Sequence, residues 1–179
     1  MANFLFESPR TSPHICFHGT SEGQAESILR EGFSPSCNDG EWLGHGIYFW
    51  DSLDAAWLWA DKYFSERPAV IGATVMLGHC LDLDNAREVA NFLSEVHREL
   101  VAEFANHGNT LPTNAGADKY LDCLVYNRAA SSTYPPVDSL VCTFRGGNPI
   151  YSGASVHEST RRMYCVRTST LIQFPGNVP

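Results

Sequence analysis

Short apolar runs, closed by turn residues and unevenly mixed with helical segments, most limit what this chain can fold into. His14 to His18, Gly46 to Trp50, Ala69 to Leu77, Cys80 to Leu83, Ser139 to Phe144 and Tyr164 to Arg167 read as strands, with Thr170 to Phe174 as one more. Helical patterns are fewer. Ala25, Ile28 and Leu29 form an apolar stripe that Thr20 or Ser21 can cap and Gly32 stops. A second helix follows Asp51 or Ser52 and runs to about Phe64. The third spans Asp84 to Asn106, with Val89, Leu93, Val96, Leu100 and Phe104 on one face and Gly108 beyond its end. Asp118 to Asn127 is expected to start as a helix and turn into a strand, and Arg145 to Ser155 to form a glycine-rich loop. This mixture predicts an α+β fold, and the lack of regular βαβ alternation argues against a doubly wound sheet. No repeat or composition break divides the 179 residues, so a single domain over 1–179 is expected.

Composition narrows the function classes. A chain that is 44% hydrophobic and 12% aromatic is not a disordered one. The net charge of −8 argues against a broad nucleic-acid footprint and leaves room only for a local basic groove. The 6 cysteines are scattered, without C-x-x-C spacing, so no metal site is expected and buried reduced thiols are. Met1 to His14 lacks the basic and apolar regions of a signal peptide, and no apolar run approaches about 18 residues. The expectation is a cytoplasmic protein with no membrane partner.

Two stretches carry chemistry. In Cys16-Phe17-His18-Gly19-Thr20-Ser21, a histidine at a strand end offers a fixed ring to a sugar hydroxyl. Gly19 lets a flat ligand approach the main chain, whose N–H and C=O complement a carboxamide. Read alone, the tripeptide also fits a turn with a helix cap. In Gly44-His45-Gly46-Ile47-Tyr48-Phe49-Trp50, Tyr48 is either a core residue or a ring laid against a heterocycle. Between the stretches, Phe33 to Gly46 reads as a loop of about a dozen residues, a length common in functional loops. No phosphate-loop pattern, no G-x-S-x-G elbow and no histidine metal pattern is present.

Together, His18-Gly19-Thr20, a helix ending Ile28-Leu29-Arg30-Glu31-Gly32-Phe33, the loop, and Gly44 to Ala56 resemble the NAD-binding half of the poly(ADP-ribose) polymerase and diphtheria-toxin group of ADP-ribosyltransferases, which carries an H-Y-E triad. The resemblance covers Cys16 to about Ala60, and Met163 to Phe174 more loosely. It implies a split antiparallel β-sheet with flanking helices around an NAD cleft. It also implies transfer of a single ADP-ribose unit from NAD to a protein or nucleic-acid acceptor, with release of nicotinamide. By the same resemblance, His18 would bond the adenosine-side ribose, Gly19 the nicotinamide amide and Thr20 the nicotinamide ribose. Tyr48 would stack on the nicotinamide ring, with Trp59 (or next Trp57) completing the sandwich and Ser34 to Leu43 forming a flap. Ala55 and Ala56 stand where the family often has a serine. Met163, or Arg162 with a one-residue shift, stands where the family has its glutamate. Glu158, in what reads as the preceding loop, is the nearest acid and the candidate third catalytic residue. Arg145, Arg161, Arg162 and Arg167 could hold a diphosphate or an acidic acceptor, and Tyr151 could touch the acceptor. The implied setting is a stand-alone bacterial or phage-related effector or toxin, with an antitoxin as a further partner. The alternatives are an NAD-binding module without catalysis and an NAD glycohydrolase.

Overall fold

The computed structural model describes residues 10–149, 151–152 and 157–174. Strand β1 (His14–Ser21) runs past His18 and feeds α1 (Glu22–Glu31) directly. Ser21 makes that junction, because its Oγ accepts the Gln24 N–H at 3.3 Å. Gly32, at φ 90°, ends the helix with its N–H on the Ile28 carbonyl at 2.8 Å. After the loop come β2 (Ile47–Trp50) and α2 (Leu53–Tyr63), whose cap is Ser52. β3 (Pro68–Val75), β4 (Cys80–Asp82), α3 (Ala86–Asn106) and α4 (Tyr120–Ser131) follow. The chain then forms β5 (Ser139–Pro149), β6 (His157–Val166) and, after a short 3-10 turn, β7 (Ile172–Gln173).

The architecture is α+β, with one seven-stranded sheet in the order β4-β5-β6-β2-β1-β3-β7. β4 runs parallel to β5 and every other neighbouring pair is antiparallel, so the sheet is mixed, not wholly antiparallel as expected. Two local expectations also need correction. Tyr120 to Ser131 is helical throughout, because Cys123, Val125, Ala129 and Ala130 bury one side of a helix where Leu124-Val125-Tyr126 alone suggests strand. Arg145 to Pro149 continues β5 against β6 despite its glycines, with a register shift between Gly146 and Pro149. There, pairing with a long neighbour overrides the weak strand preference of glycine.

The sheet has a seam. β1 pairs with β3 along its whole length, from His14↔Val75 to Ser21↔Pro68. β2 pairs with β6 along its whole length, from Ile47↔Val166 to Trp50↔Met163. β1 and β2 meet in register only at Phe17↔Trp50. Alternation along the strands divides the core between the two faces. Cys16, Ile47, Phe49, Ile71 and Val166 pack on the face with α1 and Phe33. Trp50, Ala56, Leu100, Ala129, Leu140 and Met163 pack on the other, under α2, α3 and α4. All six cysteines are free, and burial pushes the Cys16 and Cys165 thiols up to about 12. Among the described residues no helix is long and apolar enough to cross a membrane.

Candidate functional site

Beyond Phe17↔Trp50 the two central strands part, and a cleft of about 510 Å³ opens beside the gap. His18 is the first residue of β1 past the last shared pair. Its Nδ1 lies 2.7 Å from the Tyr48 carbonyl oxygen, so the ring takes up an acceptor on the diverging strand. A carbonyl only accepts, so Nδ1 carries the hydrogen and Nε2 of the neutral ring keeps a lone pair. Burial lowers the His18 pKa from its ordinary value, against the opposing pull of the Tyr48 carbonyl. The ring is wedged edge-on between Phe33 and Phe49, at 5.4 and 5.8 Å between centroids. The site therefore offers a fixed, neutral hydrogen-bond acceptor.

Gly19 points to the opposite face, as strand alternation requires. A Cβ there would lie 2.3 Å from the Ala56 carbonyl oxygen of α2. Glycine at this position is thus dictated first by the close approach of a helix backbone, a reason separate from any ligand. Ala55, Ala56 and Ala60 are buried and small because α2 lies against β1 here. Thr20 is 3% exposed, and its hydroxyl donates to Gln24 Oε1 at 2.7 Å. Ser21 Oγ–H donates to the same oxygen at 3.3 Å, which fixes the Gln24 amide at the cleft wall.

Tyr48 has two jobs. Its ring lines the cleft, and its hydroxyl grips the loop before β2, donating to the Gly44 carbonyl while accepting the Leu43 N–H at 3.0 Å. Burial raises its pKa, with further contributions from Cys165 and the Glu41 carboxylate. Replacing Tyr48 with phenylalanine keeps the ring but leaves both loop groups without their partner. The expected loss is about 1–3 kcal/mol of stability, read as a lower midpoint in urea unfolding. Tyr48→Ala loses the ring as well and is expected to cost more.

Trp59 also lines the cleft, 5.9 Å from Trp50 and 6.4 Å from Trp42 between ring centroids. Trp57 does not line it and is 43% exposed. Met163, opposite Trp50 in the β2–β6 ladder, is buried at the cleft wall. Arg162 instead pairs with Asp82 at 2.8 Å. Of these two residues only Met163 is among the described cleft residues, and its side chain is apolar.

Glu158 belongs to β6, so it is not a loop residue free to swing inward. It precedes Met163 by five residues of continuous strand, about 16 Å at the usual rise. Its side chain, like that of Arg145, falls outside those described. Arg167 is held by the His45 carbonyl at 3.2 Å and Asn127 Oδ1 at 3.0 Å, and Tyr151 is exposed. No arginine or lysine is among the described cleft residues.

Sequence reasoning missed Gln24 and Trp50, and it set the loop Ser34 to Leu43 beside the cleft without singling out Glu41 and Trp42, all four of which line it. Trp50 was legible in principle, since it shares the Tyr48 face of β2 by period-2 alternation. Glu41 and Trp42 lie in an irregular loop, where no periodicity tells which residues face inward. The described cleft residues combine aromatic rings and carboxylates and include no lysine or arginine, although the Lys119 ammonium lies 5.8 Å from the Trp42 ring centroid. Among the described residues no three of His, Cys, Asp and Glu converge as a metal site. The chain matches no protein-family model and no curated protein.

Proposed function

We propose that the cleft binds NAD and that the protein transfers one ADP-ribose unit from it to a protein or nucleic-acid acceptor, releasing nicotinamide. The observation that carries this reading is the meeting of His18 and Tyr48, 30 residues apart, across the parted strands. It joins the His18 ring to the main chain of Tyr48, and both residues line the cleft. His18 Nε2 suits a ribose hydroxyl. The β2-side edge of β1 past Phe17 has no ladder partner in β2, so its main chain suits a carboxamide. Tyr48, Trp42 and Trp59 suit a flat pyridinium, whose positive charge favours aromatic faces. With no cationic side chain among the described cleft residues, the diphosphate would remain hydrated at the mouth. The sheet seam fits the split sheet of an ADP-ribosyltransferase-like fold, which we infer on the same grounds.

Chemically, nicotinamide is a cationic leaving group. Its departure leaves an oxocarbenium-like sugar, which a site stabilises by placing negative charge nearby. Met163 supplies none. A module that binds NAD without turning it over is the second reading, and Met163 is the observation that favours it.

The test is incubation with NAD labelled on its adenylate in cell lysate, later split into protein and nucleic-acid fractions while free nicotinamide is followed. Label in one fraction establishes transfer and its acceptor class. Nicotinamide without label means glycohydrolysis. Binding without either means a binding module, and no binding overturns the reading.

A pH dependence follows from His18. Its folded pKa is lowered, so the neutral ring persists below the ordinary value of 6.5. NAD binding is expected to be flat from about pH 8 to 6.5 and to weaken only on further acidification, as Nε2 gains a proton. Fold stability from this group likewise is full above 6.5 and is lost as pH falls toward the lower folded value. A binding curve that weakens on raising the pH through 6.5 would contradict the tautomer assigned here.

A further inference from the structure

We propose that Glu41 is the catalytic carboxylate of the cleft, supplying from the loop before β2 the negative charge that Met163 cannot supply from β6. The assignment rests on the NAD reading above and deepens it. Two carboxylates stand among the described cleft residues, Glu31 and Glu41. Glu31 is well exposed at the end of α1 and is engaged by Arg30 at 2.8 Å. Glu41 is half-buried, and among the described residues no lysine or arginine forms an ion pair with it. Its Oε1 accepts from the Ser36 hydroxyl and from Asn38 Nδ2 at 3.4 Å. Both partners are neutral, so they orient the carboxylate without cancelling its charge.

The loop that carries Glu41 is held from several sides. Ser36 exchanges both main-chain hydrogen bonds with Gly46, at 2.9 and 3.0 Å. The Lys119 N–H donates to the Gly40 carbonyl at 3.0 Å, and the His45 N–H to Asn127 Oδ1 at 2.8 Å. The Tyr48 hydroxyl grips Leu43 and Gly44, next along the chain. A carboxylate placed by such a frame costs little reorganisation when charge develops beside it. Its field already reaches the Tyr48 hydroxyl, whose pKa it helps to raise. Trp42, its neighbour in sequence, lies against Trp59 and Phe144, which sets the aromatic wall beside it.

The step balances with the groups named. The bond between the ribose carbon and the pyridinium nitrogen breaks, and its electron pair leaves with nicotinamide, which becomes neutral. The sugar carbon carries the positive charge opposite Glu41. The acceptor's oxygen or nitrogen then bonds to that carbon. Its proton passes to the Glu41 carboxylate and on to water.

Glu41→Gln tests this. Glutamine keeps the Oε1 acceptor for Ser36 and Asn38 and removes only the charge. Nicotinamide release is expected to fall about a hundredfold or more. NAD affinity, read by quenching of tryptophan fluorescence, is expected to change less than about threefold, the split that marks a role in the transition state. Glu41→Asp keeps the charge but withdraws it by a methylene, and is expected to bind NAD normally with turnover between wild type and Glu41→Gln. Melting curves of both variants report whether the fold is kept. Wild-type turnover in Glu41→Gln, or equal losses of turnover and affinity, overturns the assignment while leaving the NAD reading intact. So does a loss confined to Glu158→Gln. A wild-type protein that binds NAD but releases no nicotinamide overturns the transfer reading, one that does not bind NAD overturns the NAD reading, and either result overturns this assignment with it.

Discussion

On the proposed NAD reading, replacing His18 with alanine is expected to lower nicotinamide release by about a hundredfold or more, because the substrate would lose its ribose anchor and with it the geometry of reaction. The side chain also bonds the Tyr48 carbonyl at 2.7 Å, so the same change removes a partner from a half-buried acceptor. That loss is expected to cost about 1–3 kcal/mol of stability. The two effects separate with His18→Asn. An asparagine amide nitrogen can stand where Nδ1 stands, keeping the donor toward Tyr48, but nothing replaces Nε2. Stability is therefore expected to return close to wild type in His18→Asn while turnover stays low. Turnover that recovers along with stability would mean that His18 acts only by holding β2 in place. Unchanged turnover in both variants would remove His18 from the site.

Gly19→Ala is expected to produce the largest stability loss. The new Cβ would lie 2.3 Å from the Ala56 carbonyl oxygen and 3.3 Å from the Ala60 nitrogen, both backbone atoms of α2. No rotamer change relieves a clash between backbones, so either the helix shifts or β1 does. The cost belongs at the upper end of overpacking, about 3 kcal/mol. For a chain of this size that corresponds to a fall in melting temperature of about 6–12 °C. β1 is fully paired with β3 and α2 is seated on buried alanines, so neither element has room to yield. A melting temperature within a degree or two of wild type would show that α2 moves freely over β1. In that event the close approach would not be what requires glycine.

Local chemistry made much of the fold legible in the sequence. Ser21 and Gly32 bracket α1, and Ser52 starts α2, because caps and stops act through neighbours only a few residues away. The long α3 was legible from Val89, Val96 and Leu100, which are buried as their spacing required. What was not legible depends on partners distant in sequence. The strand character of Arg145 to Pro149 comes from β6, and the helical end of α4 from its burial. The parallel pairing of β4 with β5 has no sequence mark at all. At the site, His18, Tyr48 and Trp59 lie on regular elements whose facing can be counted, and they reach the cleft together. Glu41 lies in a loop whose path is set by Ser36, Gly40 and Tyr48, and no count of positions reveals it. Gly19 was legible as important but for an incomplete reason, since the atom it makes room for is the Ala56 carbonyl.

The seam between β1 and β2 has a consequence for how long the folded chain survives. In-register pairing joins the β1-β3-β7 part of the sheet to the β2-β6-β5-β4 part at one residue pair, Phe17↔Trp50, with the His18–Tyr48 hydrogen bond beside it. A ligand held as proposed, by His18 on one side and by Tyr48 on the other, would brace that joint. Occupancy would add to stability by mass action, about 2.7 kcal/mol at a hundred times the dissociation constant, at a joint with one in-register pair. Cells degrade the unfolded fraction of a chain, so whatever closes the seam would protect the protein. Supply of the ligand would then govern the abundance of the protein as well as its activity, and a depleted cell would hold fewer copies of it.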